Sequence, residues 1–136
     1  MGGLAVHHVG IAVADLDRAI ATYAGVFGAS LEHRAVVPEQ GVEAAALCIG
    51  DSRVELLEAL RADTPVGRFV AKRGPGMHHV AFAVADLAGE LARLRSAGVR
   101  LIDEEPRPGL FGLQVAFVHP EATGGVLAEL VADVRD

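Results

Sequence analysis

Two histidines and two glutamates stand out by their spacing. His8 lies in the stretch His7-His8-Val9-Gly10-Ile11-Ala12-Val13-Ala14-Asp15-Leu16. His79 lies in His78-His79-Val80-Ala81-Phe82-Ala83-Val84-Ala85-Asp86-Leu87, so eight of ten positions recur at an offset of 71 residues. Glu55 follows His8 by 47 residues in Val54-Glu55-Leu56-Leu57, and Glu129 follows His79 by 50 in Leu127-Ala128-Glu129-Leu130. A glutamate inside an apolar strand costs free energy unless it meets solvent, a partner or a metal. Two imidazoles and two carboxylates form a donor set suited to a divalent first-row ion such as Co, Ni, Zn or Mn. Four such ligands on an octahedral ion would leave two positions for substrate oxygens or water.

The elements that must position these residues also repeat. Leu16, Ala19, Ile20, Tyr23 and Phe27 recur at helical spacing after the first histidine block, with Asp15 as N-cap and Gly28 as the stop. Leu87, Leu91 and Leu94 do the same in the second, between Asp86 and Gly98. Short β patterns follow in each half. The chain therefore reads as an α+β protein of two paired βαβββ modules, about 4–62 and 77–134. The linker, about 63–76, carries a short helix begun by Thr64 and Pro65. The halves are too small and too similar to be independent, so residues 1–136 are expected to form one domain.

Side chains alternate along a strand. One face of the first strand carries His7, Val9, Ile11 and Val13, and the other carries His8, Gly10 and Ala12. In the second copy His78, Val80, Phe82 and Val84 oppose His79, Ala81 and Ala83. The bulky faces should pack on the helices. A close-packed core would fill the other faces with larger side chains, so a histidine beside glycine and alanine leaves room for a ligand. By the same parity His7 and His78 are structural. His33 is given no role, His119 belongs to a turn, and Glu58 reads as a surface charge.

Composition narrows the class. The chain has 136 residues, 51% hydrophobic and 22% charged, with a formal net charge of −6. That balance is globular and argues against nucleic acid, whose phosphates need clustered cations. No apolar run approaches the roughly 20 residues of a membrane span, and residues 1–4 lack the pattern of a signal peptide. The single cysteine, Cys48, excludes an internal disulfide and fits a reducing cytoplasm. With no cationic neighbour in view, it reads as a small core residue.

These residues carry a resemblance. The paired modules with their His, Glu, His, Glu pattern resemble the vicinal oxygen chelate superfamily, and within it the methylmalonyl-CoA epimerases. Matching stretches include Pro38-Glu39-Gln40-Gly41-Val42 and Phe117-Val118-His119-Pro120, and the more specific are Glu39-Gln40-Gly41-Val42, Gly76-Met77-His78-His79 and Gly124-Gly125-Val126-Leu127. The resemblance implies a half-barrel fold, a metal held by His8, Glu55, His79 and Glu129, cobalt as the usual ion, an acyl-CoA substrate and a homodimer. One stretch departs from the family. Gly109-Leu110-Phe111-Gly112-Leu113 is apolar where relatives often carry Gly-Ala-His-Gly-Lys.

Epimerisation beside a thioester removes a proton from one face of a carbon and returns one to the other, so a base must stand within reach. Glu43 is one candidate. If Gly50-Asp51-Ser52 is a three-residue loop, Leu47 pairs with Glu55 and Glu43 shares the face of Glu55. If the loop has two residues, Glu43 points the other way. Glu129, or Glu55, could serve as the second base through a free oxygen, with Gln40 only as a positioning group. Lys72, Arg73, Arg100 and Arg107 are candidate contacts for CoA phosphates. The alternatives are a glyoxalase I-like isomerase using the same four ligands and a non-catalytic small-molecule binder needing none of them. No dinucleotide or phosphate-loop signature is present.

Overall fold

The computed structural model describes residues 4–132. Residues 1–3, read for a leader, and 133–134, the expected end of the second module, lie outside the described residues. The elements run β1 (Ala5–Ala12), α1 (Leu16–Phe27), β2 (Ser30–Val37), β3 (Val42–Ile49), β4 (Ser52–Ala59), α2 (Pro65–Arg73), β5 (Gly76–Val84), α3 (Leu87–Ser96), β6 (Arg107–Pro108), β7 (Gln114–Val118) and β8 (Ala128–Ala132). Short 3-10 turns occupy Leu110–Gly112 and Pro120–Thr123. The βαβββ order occurs twice, as the repeat demands. No helix among the described residues is long and apolar enough to cross a membrane.

The chain divides into two compact units. One is His8–His78, and the other joins the described residues of Met1–His7 to those of His79–Asp136. The divisions fall inside β1 and β5, and the linker helix goes with the first module.

In the His8–His78 unit the strands lie in the order β2-β3-β4-β1, with β1 parallel to β4 and the other pairs antiparallel. Helix α1 starts where Asp15 accepts a hydrogen bond from the Arg18 amide at 3.0 Å. It stops at Gly28, whose φ of 68° is a left-handed conformation that favours glycine. Its apolar face packs on Ile11 of β1, Val13 just beyond it, Ala45 and Leu47 of β3, and Leu56 of β4. Leu16, Leu47 and Leu56 are fully buried, each worth about 1.5–3 kcal/mol of transfer free energy. Helix α2 opens as expected, with the Thr64 hydroxyl accepting from the Gly67 amide at 3.0 Å and Pro65 in its first turn. It packs against β4. Gly67 is required there, because a Cβ would lie 2.3 Å from the Arg61 carbonyl oxygen.

In the second unit the order is β5-β8-β7-β6, with β5 parallel to β8. Asp86 accepts from the Gly89 amide at 3.0 Å and starts α3. The helix ends at Ser96, two residues before the expected glycine stop. Leu87 and Leu91 pack on Val84, Ala116, Val118 and Leu130, with Phe82 and Leu94 at the margin. Helices α1 and α3 therefore cover the bulky faces of their strands, and the small-residue faces point away from them.

Candidate metal centre and active-site face

Strand register defines the face turned away from α1. Gly10 pairs with Glu55 across the parallel β1–β4 ladder, and Ala46 pairs with Glu55 across the antiparallel β3–β4 ladder. Paired residues project to the same side, and alternation then adds His8, Ala12, Ala44 and Leu57. His8 and Glu55 are 3% and 4% exposed. Their Nε2 and Oε1 atoms lie 3.3 Å apart.

The second unit repeats the arrangement. Ala81 pairs with Glu129 across β5–β8, and Phe117 pairs with Glu129 across β7–β8. His79 and Glu129 are buried, with Nε2 and Oε1 at 3.2 Å. Beside them Ala81, Val115 and Val131 form an apolar patch against which Leu113 packs. The departure in the 109–113 stretch thus has a structural use, since its last residue covers this patch. The Phe117 ring stands edge-on to His79, with centroids 5.9 Å apart.

These separations bear on metal binding. A charge-assisted N–H···O bond is normally about 2.7–2.9 Å. Two ligands each bonded at about 2.1 Å to one ion sit about 3.0–3.4 Å apart at octahedral to tetrahedral angles. The two pairs, at 3.3 and 3.2 Å, have the wider spacing. With imidazole and carboxylate as donors, each pair fits a divalent ion.

Glu43 requires a correction. The β3–β4 turn has two residues, with Ile49 paired to Ser52, Leu47 to Val54 and Glu43 to Glu58. Glu43 therefore stands on the helix-facing side of the sheet, opposite to Glu55. Its Oε2 accepts from Arg34 Nε at 2.9 Å, and Arg34 also reaches Asp17 of α1 at 2.7 Å. Glu43, followed by Asp17, holds the Arg34 guanidinium above its usual range. The expectation that Glu43 serves as a base beside Glu55 fails on this register.

Glu58 is also more than a surface charge. Its Oε1 accepts the Leu16 amide at 2.7 Å, so it satisfies a free N–H in the first turn of α1 from 42 residues away. His119 caps the second 3-10 turn, its Nδ1 accepting the Glu121 amide at 3.0 Å. His78 meets the Phe69 ring edge-on at 4.9 Å, in keeping with a structural role, and His7 is half-buried. His33 is exposed on β2, Gln40 lies in the β2–β3 turn, and Cys48 is half-buried. Arg100 pairs with Glu121 at 2.9 Å, Arg73 lies over Phe69 at 5.9 Å, and Lys72 is exposed in the last turn of α2.

One grouping escaped sequence reading. Arg107 pairs with Val115 across β6–β7, and its guanidinium lies 5.5 Å above the Phe117 ring. Asp103 holds Arg107 Nε at 3.2 Å and accepts the Phe117 amide at 2.9 Å. The signal lay in the alternation Leu113, Val115, Phe117 leading to Glu129, but a two-residue strand has no periodicity of its own.

Residues 7–117 match the model of the glyoxalase/bleomycin resistance protein/dioxygenase superfamily. The chain belongs to this superfamily. Within it the chain is similar to methylmalonyl-CoA epimerases. It is 36% identical over 126 residues to the mitochondrial methylmalonyl-CoA epimerase of Homo sapiens, covering 92% of this chain and 72% of that one. A Streptomyces coelicolor methylmalonyl-CoA epimerase variant, solved in complex with 2-nitronate-propionyl-CoA, matches with a TM-score of 0.90 at 42% identity, covering 93% of this chain and 92% of that one. The uncharacterised protein YqjC of Bacillus subtilis is 42% identical over 123 residues, covering 90% of this chain and 88% of that one.

Proposed function

We propose that this protein is a metal-dependent epimerase that interconverts the (R) and (S) forms of methylmalonyl-CoA. The observation that carries the reading is the two buried His–Glu couples, with N–O separations of 3.3 and 3.2 Å, whose glutamates pair with Gly10 on β1 and Ala81 on β5. The similarity to methylmalonyl-CoA epimerases supplies the substrate class. In the proposal His8, Glu55, His79 and Glu129 together hold one divalent ion. Cobalt is our choice of ion, and Zn, Ni and Mn fit the same donors. When bound, the ion would act as a Lewis acid on the negative charge that develops at the thioester oxygen as the α-proton leaves.

The chain's own residues do the rest. Glu129 is the proposed proton acceptor, since a carboxylate has two oxygens and one can face the substrate while the other is engaged. Proton return on the opposite face needs a second group, and Glu55 is the corresponding buried carboxylate of the other unit. The apolar patch of Ala81, Val115 and Val131 beside Glu129 excludes water, which protects the carbanion from side reactions. Glu43 has no part in this scheme. We further propose a homodimer in the cytoplasm, consistent with a single free cysteine.

The test is solvent exchange. Metal-loaded protein is given methylmalonyl-CoA in heavy water, and loss of the α-proton signal is followed by NMR. Metal-dependent exchange that disappears in His79→Ala supports the proposal. Absence of exchange in protein holding one metal per chain rejects it.

A further inference from the structure

Within the second unit, one cationic head is built into the active-site face. Arg107 shares the side of Val115 through the β6–β7 register, and alternation along β7 places Phe117 on that side too. Phe117 in turn pairs with Glu129. The guanidinium rests 5.5 Å over the Phe117 ring, whose edge meets His79 at 5.9 Å. An ion pair with Asp103, Oδ2 to Nε at 3.2 Å, fixes it further, and the same carboxylate oxygen accepts the Phe117 amide at 2.9 Å. These contacts hold the plane of the group and leave its two terminal nitrogens for a ligand. The Arg107 side chain is 41% exposed, so a ligand can reach it. Other arginines of the unit are engaged elsewhere, Arg93 with Glu90, Arg95 with the Glu104 carbonyl and Arg100 with Glu121.

We propose that Arg107 reads the free carboxylate of the acyl group and makes the site selective for acyl thioesters that carry one. The inference rests on the epimerase reading above. A guanidinium edge matches a carboxylate bidentately. Arg107 offers a carboxylate on this face a cationic partner that belongs to the chain itself. The acyl end of the substrate is the right anion. Arg107 stacks on the same ring that touches His79, whereas the pantetheine arm separates the CoA phosphates from the thioester.

The experiment is calorimetric binding of methylmalonyl-CoA and propionyl-CoA, which differ by that carboxylate, to the metal-loaded protein. Wild type should prefer methylmalonyl-CoA by at least about tenfold. Arg107→Met should erase the preference without changing propionyl-CoA affinity, and Arg107→Lys should restore part of it. A preference that survives Arg107→Met overturns the proposal. So does equal weakening of both ligands, which would mark a phosphate contact, or a wild type with no preference. Failure of the epimerase reading shows separately, as absent α-proton exchange in a protein that still binds the carboxylate ligand preferentially.

Discussion

Ala46 stands directly across the β3–β4 ladder from Glu55, and Gly10 flanks the same glutamate on β1. The buried carboxylate therefore has a small neighbour on each side, where a close-packed interior would place larger side chains. Replacing Ala46 by Met should push a flexible side chain against Glu55. We expect metal affinity to fall by at least about tenfold while the fold survives at a cost of about 1–3 kcal/mol from overpacking. Competition for cobalt with a chromophoric chelator measures the first effect, and thermal melting the second.

The same register moves Glu43 to the other side of the sheet, where it holds Arg34. Glu43→Gln is therefore expected to leave the α-proton exchange rate within about twofold of wild type, because an exposed ion pair contributes little to stability and the residue faces away from Glu55. A loss of about a hundredfold or more, the scale of a missing general base, would show that the register reading is wrong.

Much of the candidate site was legible because it is written twice. A duplicated His-His-Val block, followed by a glutamate at nearly the same distance, marks His8, Glu55, His79 and Glu129 without structural help. The helices were legible through Asp15, Asp86 and Thr64, whose side chains cap them as expected. The turn length was not. Gly50-Asp51-Ser52 is compatible with two or three loop residues, and one residue of slip exchanges the faces of a whole strand. Glu58 was misjudged for a different reason, since its partner is an amide 42 residues away. Arg107 belongs to a strand of two residues, too short to carry a pattern.

Glu58 gives a stability prediction. Its carboxylate accepts the Leu16 amide at 2.7 Å at the positive end of α1. Asp15 satisfies a different donor, the Arg18 amide, so the two acceptors do not replace one another. Glu58→Ala should lower stability by about 1 kcal/mol, the usual scale for a lost N-terminal cap. That is a drop of roughly 4 °C in Tm for a domain of this size. Calorimetric melting of Glu58→Ala beside Asp15→Ala checks it, and the double variant should lose about the sum.

Metal removal tests the two His–Glu pairs as ligands independently of turnover. An ion that binds the folded chain and not the unfolded one raises the unfolding free energy by RT ln(1 + [L]/Kd), about 2.7 kcal/mol at a hundredfold excess over Kd. Adding a chelator to cobalt-loaded wild type should therefore lower Tm by several degrees. In His79→Ala, and separately in His8→Ala, the same chelator should shift Tm little, because the donor set is broken before the ion is taken away. The opposite pattern, a full chelator shift in both variants, would mean that any bound ion sits elsewhere. In that case the 3.3 and 3.2 Å contacts of His8 with Glu55 and of His79 with Glu129 would be hydrogen-bonded couples and nothing more.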